Sequence, residues 1–327
     1  MAISGSFDFT LTRDTCIKEA MQQLGALGEG ETPSATDYTD CAVTLNLMLK
    51  SWQNKEVAKN LIRKFYVFLN DEQREYDLST TVGSSAPSCF DFYADTTAAD
   101  YTDGDTSLTV TTGTGATDAD EIIIMPDSGA WDGSVGDVES GGGTTTLTIP
   151  DMNVTAESGK YYYTWSARVT RPVDIIYVNR CMLPTSIGED KVLQYISTPC
   201  KILNQRDYAS LAAKDTDGAA TNVYYDPQWP TAQLYVWPEP SAIGEFLEIW
   251  GQFTIDDMDS ANENFALPSH WYYAVTMNLA KALLSKFGCS AETRKHIKEE
   301  AQNSLLEAEM GETEDYLQFQ PDLRGRR

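Results

Sequence analysis

Residues Tyr224–Pro240 read YYDPQWPTAQLYVWPEP and hold five large aromatics and four prolines. Alternation along a strand sends Leu234 and Val236 to one face, and Tyr235 and Trp237 to the other. Prolines at 227, 230, 238 and 240 keep both strand ends from pairing further, which predicts a β-hairpin at a sheet edge. An aromatic second face is not usually left to water. It stacks on sugars, covers another layer of the same fold, or meets a neighbouring subunit. Packing within the fold or between subunits is the expectation, with Tyr225, Trp229, Tyr235 and Trp237 as candidate subunit-interface residues.

The surrounding sequence is of the same kind. RPVDIIYVNRCML and EFLEIWGQFTI read as strands, and NQRDYASLAAK (204–214) as a short helix that Asn204 can cap. Upstream, LIRKFYVFLN (61–70) is β-branched and aromatic, hence a strand, and EYDL is expected to continue its sheet after a turn at Asn70-Asp71. Both ends of the chain are helical. Thr12 caps a helix whose stripe is Ile17, Ala20, Met21, Leu24 and Leu27, broken by GEGE. Thr32-Pro33 reads as the cap and first turn of the next helix, with Tyr38, Cys41, Leu45, Met48, Leu49 and Trp52 on its seam. A late helix, SHWYYAVTMNLAKALLSKF, runs to Gly288, and Ser290 caps a last one ending at Gly311.

Residues 81–160 differ in composition. They are rich in Thr, Gly, Asp and Ser and nearly devoid of Lys and Arg, with short β runs such as SLTV, EIIIM and TTLTI. This predicts an acidic insertion of β-hairpins, a small sandwich or barrel, peripheral to the main fold; disorder is the competing reading. The whole is then an α+β fold: a discontinuous helical bundle from both chain ends, a central β region and an acidic β-rich insertion. The expected segments are 1–62 (helical), 63–80 (strands), 81–164 (insertion), 165–258 (β region), 259–311 (helical) and 312–327 (tail).

Chemistry is sparse. With 24 basic against 49 acidic residues the net charge is −25, which repels nucleic acid and disfavours groove-tracking, though not a DNA conduit. The six cysteines are scattered without metal-type spacing and read as buried hydrophobes. Two histidines, His270 and His296, have no triad partners nearby. No phosphate-cradling glycine motif follows a strand, GGG (141–143) is a turn, and DDMD (256–259) lacks the spacing of a Ca²⁺ loop. A glycosidase carboxylate pair gains no specific support from so many acids. No catalytic residue, cofactor or metal is assigned. No stretch nears the roughly twenty apolar residues of a membrane helix, and the N-terminus shows no signal peptide, so an origin in a cytoplasm is expected.

The segment AISGSFDFTLTRDTCIKEAMQQLGALGEGETPSATDYTDCAVTLNLMLKSWQ resembles the N-terminal part of tail-accessory proteins of tailed bacteriophages. These are the head-to-tail adaptors, or packaged-DNA-stabilisation proteins, of short-tailed phages. The LGALGEGETPSA turn, LNLMLKSWQ, YYDPQWPTAQLYVWPEP and LPSHWYYAVTMNLAKALLSKFG carry the likeness in the family's order; none is catalytic, and the acidic insertion departs from compact members. The resemblance implies a virion protein at the head–tail junction, assembled in the host cytoplasm as a dodecameric ring. It would dock under the portal protein and extend the DNA channel. It would also meet the next tail component, a nozzle or tail tube, and fibres or spikes are further candidate partners. Packaged DNA would pass without specific binding, and no membrane is involved. The alternatives are a carbohydrate-binding or fibre-like virion component, using Trp229, Tyr235 and Trp237, and a cell-wall glycosidase.

The tail GETEDYLQFQPDLRGRR (311–327) combines apolar anchors, Tyr316, Leu317, Phe319 and Leu323, with the cations Arg324, Arg326 and Arg327. That pattern suits a segment that orders on a partner, and the resemblance points to the portal; the alternative is a frayed terminus.

Overall fold

The computed structural model describes residues 9–28, 30–52, 61–70, 72–79, 86–127, 135–182, 196–241 and 245–310. In chain order the elements are α1 (Arg13–Gln23), α2 (Ala35–Trp52), β1 (Ile62–Phe68), β2 (Glu75–Leu78), β3 (Ser88–Cys89), β4 (Tyr93–Thr96), β5 (Ser107–Thr109), β6 (Glu121–Ile124), β7 (Gly136–Asp137) and β8 (Thr146–Thr148). They continue with β9 (Tyr161–Trp165), β10 (Asp174–Met182), β11 (Ile196–Pro199), β12 (Lys201–Leu203), α3 (Gln205–Ala209), β13 (Asn222–Asp226), β14 (Ala232–Trp237), β15 (Glu245–Gln252), α4 (Tyr272–Leu283) and α5 (Ala291–Met310). Mixed helix and sheet make the fold α+β. The chain divides into two compact units, residues 1–61 with 254–327, and residues 62–253.

In the first unit, Thr12 caps α1 as expected: its hydroxyl accepts from the Thr15 backbone N–H. The helix stops before GEGE. Gly25 adopts a φ of +71°, and Gly25 N–H and Ala26 N–H donate to the carbonyls of Gln22 and Met21. That double bond pattern closes a helix at a left-handed glycine. The cap of α2 is Ser34, not Thr32. Asp37 N–H donates to Ser34 Oγ at 3.2 Å while Ser34 N–H donates to Asp37 Oδ2 at 3.1 Å. Ser34 has a carboxylate three residues on and so satisfies two end groups reciprocally, whereas Thr32 has Ala35 there.

One hydrophobic cluster takes Cys16, Ile17 and Met21 from α1, Leu45, Leu49 and Trp52 from α2, Val275, Leu279 and Leu283 from α4, and Ile297 and Ala308 from α5. Trp52 and Trp271 meet inside it with centroids 6.0 Å apart. The late helix begins with a 3₁₀ turn after Pro268 and ends at Leu283, short of Gly288. Asn278 is buried on α4, and its amide donates to the Ala274 and Ala301 carbonyls, 2.9 Å each, tying α4 to α5. Burying an amide without partners is costly, so this double bond fixes the register of the two helices. Ser290 caps α5 through Thr293 N–H at 3.0 Å.

The second unit is layered. The first sheet has the order β11-β10-β15-β1-β3 and the second β12-β13-β14-β2. Phe65, Val67, Val178, Leu247 and Ile249 of the first share a core with Tyr76, Leu78, Val223, Leu234 and Val236 of the second. EYDL therefore does not continue the sheet of β1. β2 pairs antiparallel with β14, Leu78 opposite Ala232. This also revises the hairpin: β14 lies between β13 and β2, away from the sheet edge. Pro230 and Pro238 sit outside Ala232–Trp237, so they limit the strand's length and leave its inner amides free to pair on both sides.

The acidic segment forms a third sheet, β4-β9-β6-β7, and a pair, β5-β8. It has a core of its own, with Leu108, Ile122, Ile124, Leu147, Ile149 and Tyr162. Its opposite face is not peripheral. Ile123, Met125, Tyr163 and Trp165 share a second core with Tyr66, Phe68, Cys181 and Phe246 of the first sheet. Phe68 stacks on Trp165 at 5.5 Å and lies 4.9 Å from Tyr163. The expected boundaries at 80/81 and 164/165 thus cut through packing. β1 over Phe65–Phe68 and β15 over Glu245–Ile249 are buried on both faces, whereas Arg63 and Trp250 are exposed. At the GGG turn, a Cβ on Gly142 would lie 2.6 Å from the Asp118 backbone nitrogen, so the glycine there is a steric requirement.

Candidate interaction site on the aromatic hairpin

The β13–β14 hairpin brings Tyr224 opposite Tyr235 and Asn222 opposite Trp237. The second face is covered from within the unit. Tyr208 on α3 packs on both tyrosines, 5.1 Å from each centroid, and Tyr224 and Tyr235 lie 5.6 Å apart. Asn204 places Tyr208 there by capping α3, its side chain accepting from Asp207 N–H at 2.8 Å. The Lys214 ammonium lies 4.5 Å from the Tyr208 ring centroid. Burial raises the phenols of Tyr208, Tyr224 and Tyr235, which stay protonated at neutral pH.

The four proposed interface residues therefore separate. Tyr225 is buried and donates its hydroxyl to the Pro172 carbonyl. Tyr235 lies in the tyrosine layer, and Trp237 donates its indole N–H to the Ala213 carbonyl at 2.8 Å. Tyr235 and Trp237 are half-buried, and Tyr225 presents no open ring face for a sugar. Trp229 does: it is 84% exposed at the hairpin tip. Its loop is braced, since Arg171 Nη1 donates to the Pro227 carbonyl at 2.8 Å and Gln228 N–H to the Asp226 carbonyl at 2.9 Å. The Arg171 guanidinium also lies 5.5 Å from the Trp229 ring centroid.

Two further apolar surfaces escaped the sequence reading. On α2, Val43 and Leu47 are 56% and 68% exposed, one turn apart. They lie off the seam of Leu45, Leu49 and Trp52, and apolar residues on the polar side of an amphipathic helix were the available signal. On the first sheet, Tyr177 pairs with Trp250 and both are exposed. Beside Val43 a hollow of about 510 Å³ opens between α2 and the loop that precedes α4.

Elsewhere the chemistry is quiet. Burial pushes the Cys16 and Cys181 thiols up to about 12, so neither is a thiolate at neutral pH. His270 and His296 are exposed. Within DDMD, Met258 points into the core, and Asp257 pairs with Lys50 at 3.0 Å. Among the described residues no cluster of three metal-type ligands occurs, and no helix is long and apolar enough to cross a membrane.

No family model and no curated protein matches the chain. The tail residues Tyr316, Leu317, Phe319, Leu323, Arg324, Arg326 and Arg327 lie outside the described residues.

Proposed function

We propose that this protein is a structural head-to-tail adaptor. Copies form a ring under a phage portal, line the DNA channel with an acid-rich wall and present a surface to the next tail component. The observation that carries this reading is the packing of the stretches on which the resemblance rests. Leu45, Leu49 and Trp52 of LNLMLKSWQ share one core with Trp271, Val275 and Leu279 of LPSHWYYAVTMNLAKALLSKFG, although more than two hundred residues separate them. Under this reading the four long helices act as one discontinuous bundle. The chain carries no catalysis. The net charge of −25 keeps DNA moving past without adhesion.

The test is cryo-EM of the protein mixed with portal rings of its phage. The expected result is a ring on the portal's outer end, with residues 312–327 ordered against portal subunits. Truncation after Gly311 should leave folding intact and weaken docking. Absence of any complex, or tight salt-sensitive binding of duplex DNA by the free protein, overturns the proposal.

A further inference from the structure

We infer that Trp229 is the knob of a contact between copies, inserting into the α2 hollow of a neighbouring molecule. The inference rests on the ring reading above and names the residues that join its subunits. A ring of identical chains needs two different patches that fit each other. Trp229 is the most exposed large apolar side chain among the described residues, and its loop is held before any partner arrives by Arg171 and Gln228. A braced, solvent-exposed indole loses little conformational freedom on docking, which is what makes tryptophan an effective interface anchor.

The hollow supplies the complementary shape. Tyr38, Ala42, Val43, Asn46 and Met258 line it, and Arg13 and Asp259 stand at its rim. At about 510 Å³ it has room for an indole. Its floor is set by the fold: Asn46 Oδ1 accepts from Met258 N–H at 3.0 Å, which pins the loop to α2. Charge matches too. Arg13 is already committed, to the Asp14 carboxylate and to the Asp259 carbonyl at 2.7 Å. The Asp259 carboxylate makes no ion pair among the described residues, and neither does Arg171 beside the indole. When Trp229 seats, Arg171 comes to the rim where that carboxylate stands. The cleft beside Tyr208 fits the indole less well, being smaller, about 350 Å³, and lined by Arg74, Glu75, Lys214 and Asp226.

The experiment uses the full chain in a Cys289→Ser background, since the other five cysteines are buried. Gln228→Cys and Thr39→Cys are made on separate copies, mixed and oxidised, and Gln205→Cys serves as the control site beside the tyrosine cleft. The expected product is a 228–39 cross-link in excess over 228–228, 39–39 and 228–205. In sedimentation, Trp229→Ala should weaken self-association tenfold or more with its melting temperature unchanged. Reversing Asp259 alone to Arg should weaken it, and adding Arg171→Glu should restore part of the loss. Rings that persist in Trp229→Ala, or cross-links that favour 205, overturn the knob and leave the ring reading standing. A 228–39 cross-link in open-ended or dimeric species keeps the knob and overturns the ring. Neither cross-link nor self-association at any concentration tested overturns both.

Discussion

The helical unit and the β unit bury their apolar residues by different means. The first uses one cluster of mostly aliphatic side chains and cysteines, with a single tryptophan pair, Trp52 and Trp271, inside it. The second stacks three sheets, and the middle of its first sheet, Phe65–Phe68 with Glu245–Ile249, is covered on both faces. One side is filled largely by aliphatic residues and the other by a ring cluster of Tyr66, Phe68, Phe92, Tyr163, Trp165 and Phe246. A helix shows its buried stripe in its own periodicity. A doubly covered strand shows only that both faces are buried and does not say by what. The difference teaches that the acidic segment is structural where composition made it decorative: charge and glycine mark its outer loops, and Ile123, Met125, Tyr163 and Trp165 mark its inner face.

The strongest way to break this contrast is to replace residues 81–160 with a short Gly-Ser linker. Tyr66, Phe68 and Phe246 would then face water, and we expect loss of near-UV circular dichroism from the β unit, dye binding by exposed apolar surface, and helix signal retained. A native-like near-UV spectrum would restore the peripheral reading. Within the intact chain, Phe68→Ala should cost about 3–5 kcal/mol and Leu45→Ala about 2–5 kcal/mol in denaturant unfolding, since both side chains are fully enclosed. A loss near zero at Leu45 would remove it from the helical core.

A smaller effect tests the acidic module itself. Asp95 on β4 is buried, and its carboxylate accepts from Thr112, which lies beyond β5. Burial alone would raise its carboxyl. The Thr112 hydroxyl, the Thr96 and Thr112 backbone N–H groups and the Tyr93 hydroxyl outweigh that and hold it below its ordinary value. A depressed carboxyl contributes stability that is present above its unfolded pKa, about 3.9, and is lost as pH falls through the folded value. Asp95→Asn should therefore lower stability at neutral pH and flatten the acid limb of the stability profile below about pH 4. An unchanged limb would show that other carboxylates dominate. The smallest expected effect is at Trp229. Exposed as it is, Trp229→Ala should change the stability of the isolated chain by less than about 0.5 kcal/mol. A larger loss would mean that the indole packs within its own chain.

Some of this was legible because the signals are local. The caps at Thr12, Asn204 and Ser290 need only a side-chain oxygen within three residues of the first free amides. The α2 seam needs only a period of 3.6, and the alternation of β14 only a period of 2. The Ser34 cap is local too, through its match to Asp37, but the neighbouring Thr32-Pro33 pair carries the same kind of signal.

What the sequence by itself determined is which faces are apolar, where helices start, and that the aromatic stretch must be covered. Tertiary structure decided the covering. It put Tyr208 over Tyr224 and Tyr235, carried β2 to β14 instead of β1, and set the isoleucines and tyrosines of the acidic segment against Phe68. Strand pairing and sheet stacking join residues far apart in the chain. An apolar face gains nearly the same free energy from any well-fitted apolar partner, so no local pattern names the one it meets. Trp229 is the converse case: the sequence supplied an aromatic, and only the fold left it uncovered.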